Sequence, residues 1–549
     1  MKIIALLPLA LLTLAGCVSS SHEVEPQLLI GVDKYHFPVT TDSDHAQRWF
    51  DQGFQLTYGF HHLEAIRSYQ KALEYDPDLA MAWWGIAYAK GPNLNDPAIS
   101  AERHEDAYVA AQNALALMDS ADRKEQMLVH AISKRYAPTL PDDVSALNQA
   151  YAEAMREIYN DYPDDPDIGA LYADALMNLQ PWDYWTSDDE PKGNILEIVS
   201  VLEHILSYES DHPAATHLYI HAMEAGPEPE KAVPSGDRLL TRIPGSGHLV
   251  HMPSHIYAVV GRWSDASDSN EAAIARDLAT LANTTDEDFY WGYYGHNLHF
   301  LAYASMMECR YESAMRAARQ LWNTIPEGFI REQGWFVEGI IPTTYHVMIR
   351  FGRWQDILDE PLPAPYLKVS QAVHHYARSI AHSALGNTTD AQLEFDLFDD
   401  AASRIPDTWL QFNNKINEIL PIARNMALAE LRYREGSQDE AIRLLREAAQ
   451  MEDNLVYDEP PAWMIPVRHP LGAFLVAMGR YEEAEQVYLE DLERNPHNGW
   501  GLLGMEQALV GLDRFDEAEE YARQREEAWW RADVEPTSSC LCEPGVTFQ

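Results

Sequence analysis

Ala46-Gln-Arg-Trp49-Phe-Asp-Gln-Gly53-Phe-Gln-Leu-Thr-Tyr-Gly-Phe-His-His-Leu-Glu-Ala65-Ile-Arg-Ser-Tyr69-Gln-Lys-Ala72-Leu-Glu-Tyr-Asp-Pro77-Asp78 decides the fold. With Ala46 at position one, Trp49 falls at four, Gly53 at eight, Ala65 at twenty, Tyr69 at twenty-four, Ala72 at twenty-seven and Pro77 at thirty-two. Small residues at such points let two helices approach closely, aromatic rings fill the gaps between them, and proline ends the second helix. The register resumes at Trp83 and Ala87, and returns at Gly436, Ala441 and Ala448. It returns again at Leu471, Gly472, Gly479, Ala484, Tyr488 and Pro496.

These positions resemble the tetratricopeptide repeat, a helix–turn–helix of about 34 residues. The resemblance implies an all-α, right-handed TPR-like α-solenoid of roughly ten helix pairs, because a single repeat cannot bury its own apolar face. The solenoid is placed at 43–535, followed by a C-terminal tail at 536–549. The proline-containing interruptions near 91–98, 180–192 and 361–366 read as loops between repeats, and no long Gly/Ser linker divides the chain.

Three neighbouring stretches carry histidines in this frame: His217-Leu-Tyr-Ile-His221-Ala-Met-Glu224, His248-Leu-Val-His251-Met-Pro-Ser-His255 and His296-Asn-Leu-His299. Each precedes a turn and a helix with Ala232, Ala266 or Ala314 at position twenty. His217, His221 and Glu224 then stand at five, nine and twelve, and His248, His251 and His255 at two, five and nine. His296, His299 and Tyr303 repeat the positions two, five and nine. In tetratricopeptide proteins these positions of the first helix look into the concave groove, so the resemblance implies convergence on one inner surface. Helical geometry agrees: at about 100° per residue, His221 lies roughly 40° from His217 and Glu224 roughly 20° to the other side.

Histidines four apart leave a helix on the same face and can share a metal ion. The candidate ligands are His217, His221, Glu224, His251, His255 and His299, and imidazole-rich sets suit zinc or copper. His248, His296, Tyr303 and His346 are assigned to the groove lining. A metal-free groove of hydrogen-bonded histidines fits the same register. Pro253, lacking an N–H, belongs in the first turn of its helix, which puts His248 and His251 on the entering loop. His374, His375 and His382 miss the inner positions and read as structural.

The N-terminus opens with Met1-Lys2 and an apolar run to Leu14, a secretory signal at 1–16. Leu14-Ala15-Gly16-Cys17 resembles the lipobox of bacterial lipoproteins, in which Cys17 becomes the lipidated first residue of a tether at 17–42. Val18 after that cysteine implies, by the same resemblance, an outer-membrane lipoprotein facing the periplasm. Of the other cysteines, Cys309 stands at a repeat turn as a packed thiol. Cys540 and Cys542 are left as a soft-metal pair or a local disulfide. With 40 Lys plus Arg against 86 Asp plus Glu, the formal net charge is −46, which disfavours nucleic acid and attracts cations and basic peptides.

No phosphate loop, nucleophile elbow or H-E-x-x-H zincin motif occurs. The stretches at 247–257, 293–300 and 457–463 resemble those of a bacterial subfamily of tetratricopeptide lipoproteins with His-rich inner helices, and that resemblance carries a fold but no activity. The leading expectation is therefore an envelope-anchored binding or scaffold protein. Its His-rich concave groove takes a protein or peptide ligand or a transition metal. A metal-dependent hydrolase in which Glu224 accepts a proton from metal-bound water is one alternative, and metal storage or delivery is another.

Overall fold

The computed structural model describes residues 27–29, 35–242, 245–282 and 289–542. Helices follow one another from Asp44 to Ala528, with only a two-residue antiparallel ladder, Leu410–Gln411 against Asn414–Lys415, as named strands among the described residues. Sequential helices pack as antiparallel pairs, among them Asp44–Tyr58 with His62–Tyr75, Lys368–Ala384 with Thr388–Ala402, and Ile416–Arg434 with Gln438–Asp453. The signal segment, Cys17 and the end of the tail lie outside the described residues.

One turn, repeated, sets the pairing. Five residues before most position-twenty residues stands one with positive φ: Phe60, Gly261, Cys309, Gly352, Gly386, Gly436, Gly479 and Asp513, Ala232 with Pro227 being the exception. The following N–H reaches back over the turn to close the first helix, as in His61 to Leu56, Arg262 to Tyr257, Arg310 to Ser305 and Arg480 to Leu475. This is the helix-ending motif in which a left-handed residue lets orphan carbonyls find donors. Glycine fits it without strain. Phe60, Cys309 and Asp513 adopt it against their intrinsic preference. Cys309 is fully buried there, with its Sγ 3.5 Å from the Val534 carbonyl.

The aromatic of position twenty-four explains the small residues. A Cβ on Gly53 would lie 2.7 Å from Tyr69 Cε1, and one on Gly85 would lie 2.5 Å from Tyr69 Cζ. Tyr488 is gripped in the same way: a Cβ on Gly472 would lie 2.3 Å from its Cζ and one on Gly504 2.0 Å. Each ring is thus clamped between its own repeat and the next, burying a side chain worth about 1.5–3 kcal/mol.

The solenoid curls until its last repeats meet its middle. Trp500 Nε1 donates to the Met306 carbonyl at 2.8 Å, Trp529 Nε1 to Met307 at 2.9 Å, and Trp263 Nε1 to Pro496 at 3.0 Å. Tyr35, Phe37 and Val39, in the stretch assigned to a tether, lie against the first helices, with Phe37 buried and Tyr35 donating to Asp167 at 2.9 Å. Cys540 and Cys542 form a disulfide. Among the described residues no helix is long and apolar enough to cross a membrane.

Candidate metal centre

The helix Pro213–Met223 carries His217 and His221 inward, with Glu224 at its C-terminal cap. Ser246 caps the short helix Gly247–His251, and Met252 keeps helical angles into Pro253–Val259. His248, His251 and His255 therefore share one bent helix, and the expectation that His248 and His251 sit on an entering loop is corrected. Proline removes one N–H, but the serine cap and the helical Met252 carry the helix across it. His296 comes from Tyr290–Met307.

The six imidazoles form two triads. His217, His221 and His248 make one and His251, His255 and His296 the other; within each, the candidate ligand atoms lie within 4.8 Å of one another. Both triads obey one rule in the repeat frame: positions five and nine of one repeat, plus position two of the next. In the first triad His217 Nε2 stands 3.2 Å from His248 Nε2. In the second, His251 Nε2 lies 2.7 Å from His255 Nε2 and 3.0 Å from His296 Nε2, which is 3.5 Å from His255 Nε2.

The outer nitrogens explain why these contacts matter. His217 Nδ1 lies 2.8 Å from the Tyr58 carbonyl oxygen, which can only accept. His221 Nδ1 and His255 Nδ1 donate to the two oxygens of Glu224, at 2.7 and 2.5 Å. His251 Nδ1 lies 2.7 Å from Asn270 Oδ1, while the Asn270 amide nitrogen donates to the Ala266 carbonyl at 2.8 Å and so fixes that orientation. Asn270 stands at position twenty-four, where Tyr69 and Tyr488 stand in other repeats. Four rings therefore carry their proton on Nδ1 and turn an Nε2 lone pair inward. The facing lone pairs of His251 and His255, 2.7 Å apart, repel unless a cation or a donated N–H lies among them, whereas His217 Nε2 can accept an N–H from His248. Two nitrogens on one ion stand about 3.3–3.6 Å apart for metal–nitrogen bonds of about 2.0–2.1 Å.

A proton is a poor cation for this place. Burial, followed by neighbouring imidazoles, holds His217, His248, His251 and His296 well below the ordinary histidine range. His221 is lowered too, chiefly by burial, and its Nε2 is buried without a hydrogen-bond partner. Burial opposes ionisation of Glu224, yet His255 and His221 outweigh it and bring the carboxyl down to about 2.

Aromatic rings wall the two triads. Phe60 lies 4.7 Å from His217 and 5.4 Å from His248, Trp182 5.0 Å from His221, and Phe412 5.5 Å from His296, as ring-centroid distances. All three adopt positive φ, at 54°, 63° and 49°. Phe60 owes it to the repeat turn, whereas Trp182 and Phe412 hold it outside that turn, as strained residues at functional sites do. Trp182 rides on the 180–192 interruption and donates to Leu94 of the 91–98 interruption at 2.9 Å. The segment around Tyr457 closes the inner surface: its hydroxyl lies 2.7 Å from Glu459 Oε1 and 3.5 Å from Glu224 Oε2. At the histidines, then, the groove is filled by the chain's own 457–464 segment. Only His296 of the six rings keeps partial solvent exposure.

Of the expected ligands, the structure brings together His217, His221, His251 and His255, with Glu224 holding two of them from outside. His248 and His296, assigned to the lining, complete the triads. His299 turns away, its Nε2 3.2 Å from Met464 Sδ. Tyr303 donates to Asn495 at 3.4 Å, and His346 packs edge-on against Trp463 at 5.0 Å. Sequence reasoning gave no role to Tyr58, Asn270, Phe60, Trp182 or Phe412. Asn270 alone left a signal, as a polar residue at an aromatic repeat position.

No protein family matches the chain, and no curated protein matches it in sequence. Among solved structures it is similar to human IFIT1 determined as a dimer with m7Gppp-AAAA, at 13% identity over 87% of this chain and 96% of that chain, with a TM-score of 0.34. It is also similar to yeast Tom70, at 10% identity over 88% of this chain and 90% of that one, with a TM-score of 0.28. At those values no ligand or activity passes from either protein to this chain.

Proposed function

We propose that this chain is a metal-binding helical-repeat protein of the bacterial envelope, holding one transition-metal ion in each histidine triad. The observation that carries this is the set of four anchored Nδ1 atoms. Tyr58, Glu224 and Asn270 hold the rings so that Nε2 lone pairs converge in a buried space where protons are disfavoured. Outer partners of this kind orient the ligands of metal sites. Three nitrogens per ion leave a coordination position for a further ligand, which suits exchange or chemistry better than a closed structural site. Both Glu224 oxygens are engaged by imidazoles, which favours an orienting role over that of proton acceptor. The lipobox-like Leu14-Ala15-Gly16-Cys17 supports a lipid anchor, with the repeats facing the periplasm. Metal analysis of soluble protein lacking Cys17 tests the binding. Two ions per chain are expected, and transition metal at background level overturns the proposal.

A further inference from the structure

Resting on that metal-binding reading, we infer that the two triads act as one centre: they hold a pair of copper(I) ions and bind dioxygen between them. Three features of the chamber point to this. The first is adjacency. The His221 and His255 rings stand 5.8 Å apart and His248 and His251 6.1 Å apart, and Glu224 links a ring of each triad through its two oxygens. Ions at the two foci therefore share one space.

The second is the ligand set. Six imidazole nitrogens face inward; among the described residues no thiolate lies with them, and both Glu224 oxygens are taken up by Nδ1 donors. Imidazole serves copper as well as zinc.

The third is charge. The carboxyl groups hydrogen-bonded into this wall are Glu224 and, through Tyr457, Glu459, and burial pushes the Glu459 carboxyl well above its ordinary range, so Glu224 is the one firm negative charge the wall supplies. Two monovalent ions come nearer to that supply than two divalent ones. Two divalent ions leave an excess of positive charge among Phe60, Trp182, Phe300 and Phe412, where uncompensated charge is expensive. Copper(I) is the monovalent transition ion that three imidazoles hold well, and it leaves a face of each ion open.

Dioxygen fits the electron count. Each copper(I) gives up one electron and becomes copper(II), and dioxygen accepts both electrons and becomes a peroxide bridging the ions. One of the two O–O bonds is lost, and no proton or further reductant is consumed. The extra positive charge on the metals is balanced by the two negative charges of the peroxide. His296, beside Phe412, is the one ring of the six that keeps partial solvent exposure.

The experiment loads the soluble chain anaerobically with copper(I), removes loose metal and admits dioxygen. Two copper ions per chain, uptake of one dioxygen per two copper ions, a peroxide-to-copper charge-transfer band in the near ultraviolet and no paramagnetic resonance signal are expected, because adjacent copper(II) spins cancel. His296→Ala should drop copper to one per chain, abolish the band and produce a visible copper(II) signal. His204→Ala, on the surface beside Asp164, should change nothing. A chain that takes two zinc ions, but whose oxidised copper form shows two isolated copper(II) signals and no band, overturns the dicopper inference and leaves the metal-binding reading standing. A chain that binds neither metal overturns both.

Discussion

Glu224→Gln separates an oriented metal site from a merely polar one. The carboxylate accepts from His221 Nδ1 at 2.7 Å and from His255 Nδ1 at 2.5 Å, and these rings belong to different triads. Glutamine keeps the shape but has one oxygen, so only one ring retains an acceptor. The other ring meets an NH2 group, and its Nδ1 must become the acceptor. Its proton then moves to Nε2, the atom that would bind metal. Loss of such an outer partner weakens a metal site about 10–100-fold, equivalent to about 1.4–2.8 kcal/mol. One triad should weaken by that amount while the other stays near wild type. Competition against a chelator with zinc as the redox-silent probe should therefore turn biphasic, with helical content unchanged. A single transition at wild-type affinity refutes the orienting role of Glu224 and the tautomer argument built on it.

Four further outcomes are expected. His221→Ala removes one ligand of the first triad and should lower bound metal from two ions toward one per chain with nearly unchanged circular dichroism; full retention of metal counts against that triad. Gly504→Ala places a Cβ 2.0 Å from Tyr488 Cζ and should cost about 1–3 kcal/mol, read as a lowered thermal midpoint. Metal-free protein should lose stability as pH falls from about 6.5 toward 4. Burial, aided by His346, lowers His299 to about 3, and burial alone brings His346 down to about 4, so the unfolded chain binds more protons in that window. Thermal midpoints of chelator-treated protein at neutral and acidic pH give the check, and no decline contradicts the assignment. Cys17→Ser should move the protein out of the membrane fraction or leave it unprocessed, whereas unchanged fractionation and acyl labelling remove the anchor.

Most of the architecture was legible from the sequence because packing imposes it locally. Tyr69 and Tyr488 demand glycines at fixed distances along the chain, so the pattern is written in residues a few turns apart. The inward face of the histidines was legible for the same reason. Which rings would meet was harder. Position two of one repeat abuts positions five and nine of the preceding one, a relation between helices that brings His248 and His296 into the triads. His299 shares position five with His217 and His251 but meets Met464, because the superhelix folds a distant segment onto it. Tyr303 stands at position nine where a third pair would need histidine, so the series ends after two. The aromatic wall left least trace. Phe60 takes the left-handed place of the repeat turn, but Trp182 and Phe412 adopt that backbone outside it, and nothing in a phenylalanine or tryptophan announces that.

The most direct test is the count of transition-metal ions per chain in the soluble protein purified gently, set beside a double variant, His248→Ala with His296→Ala, that removes the third ring from each triad. Two tightly held ions in the wild type, and markedly fewer in a variant of equal helical content, are the expected result. Equal metal in both proteins, or none in either, contradicts the two-triad centre.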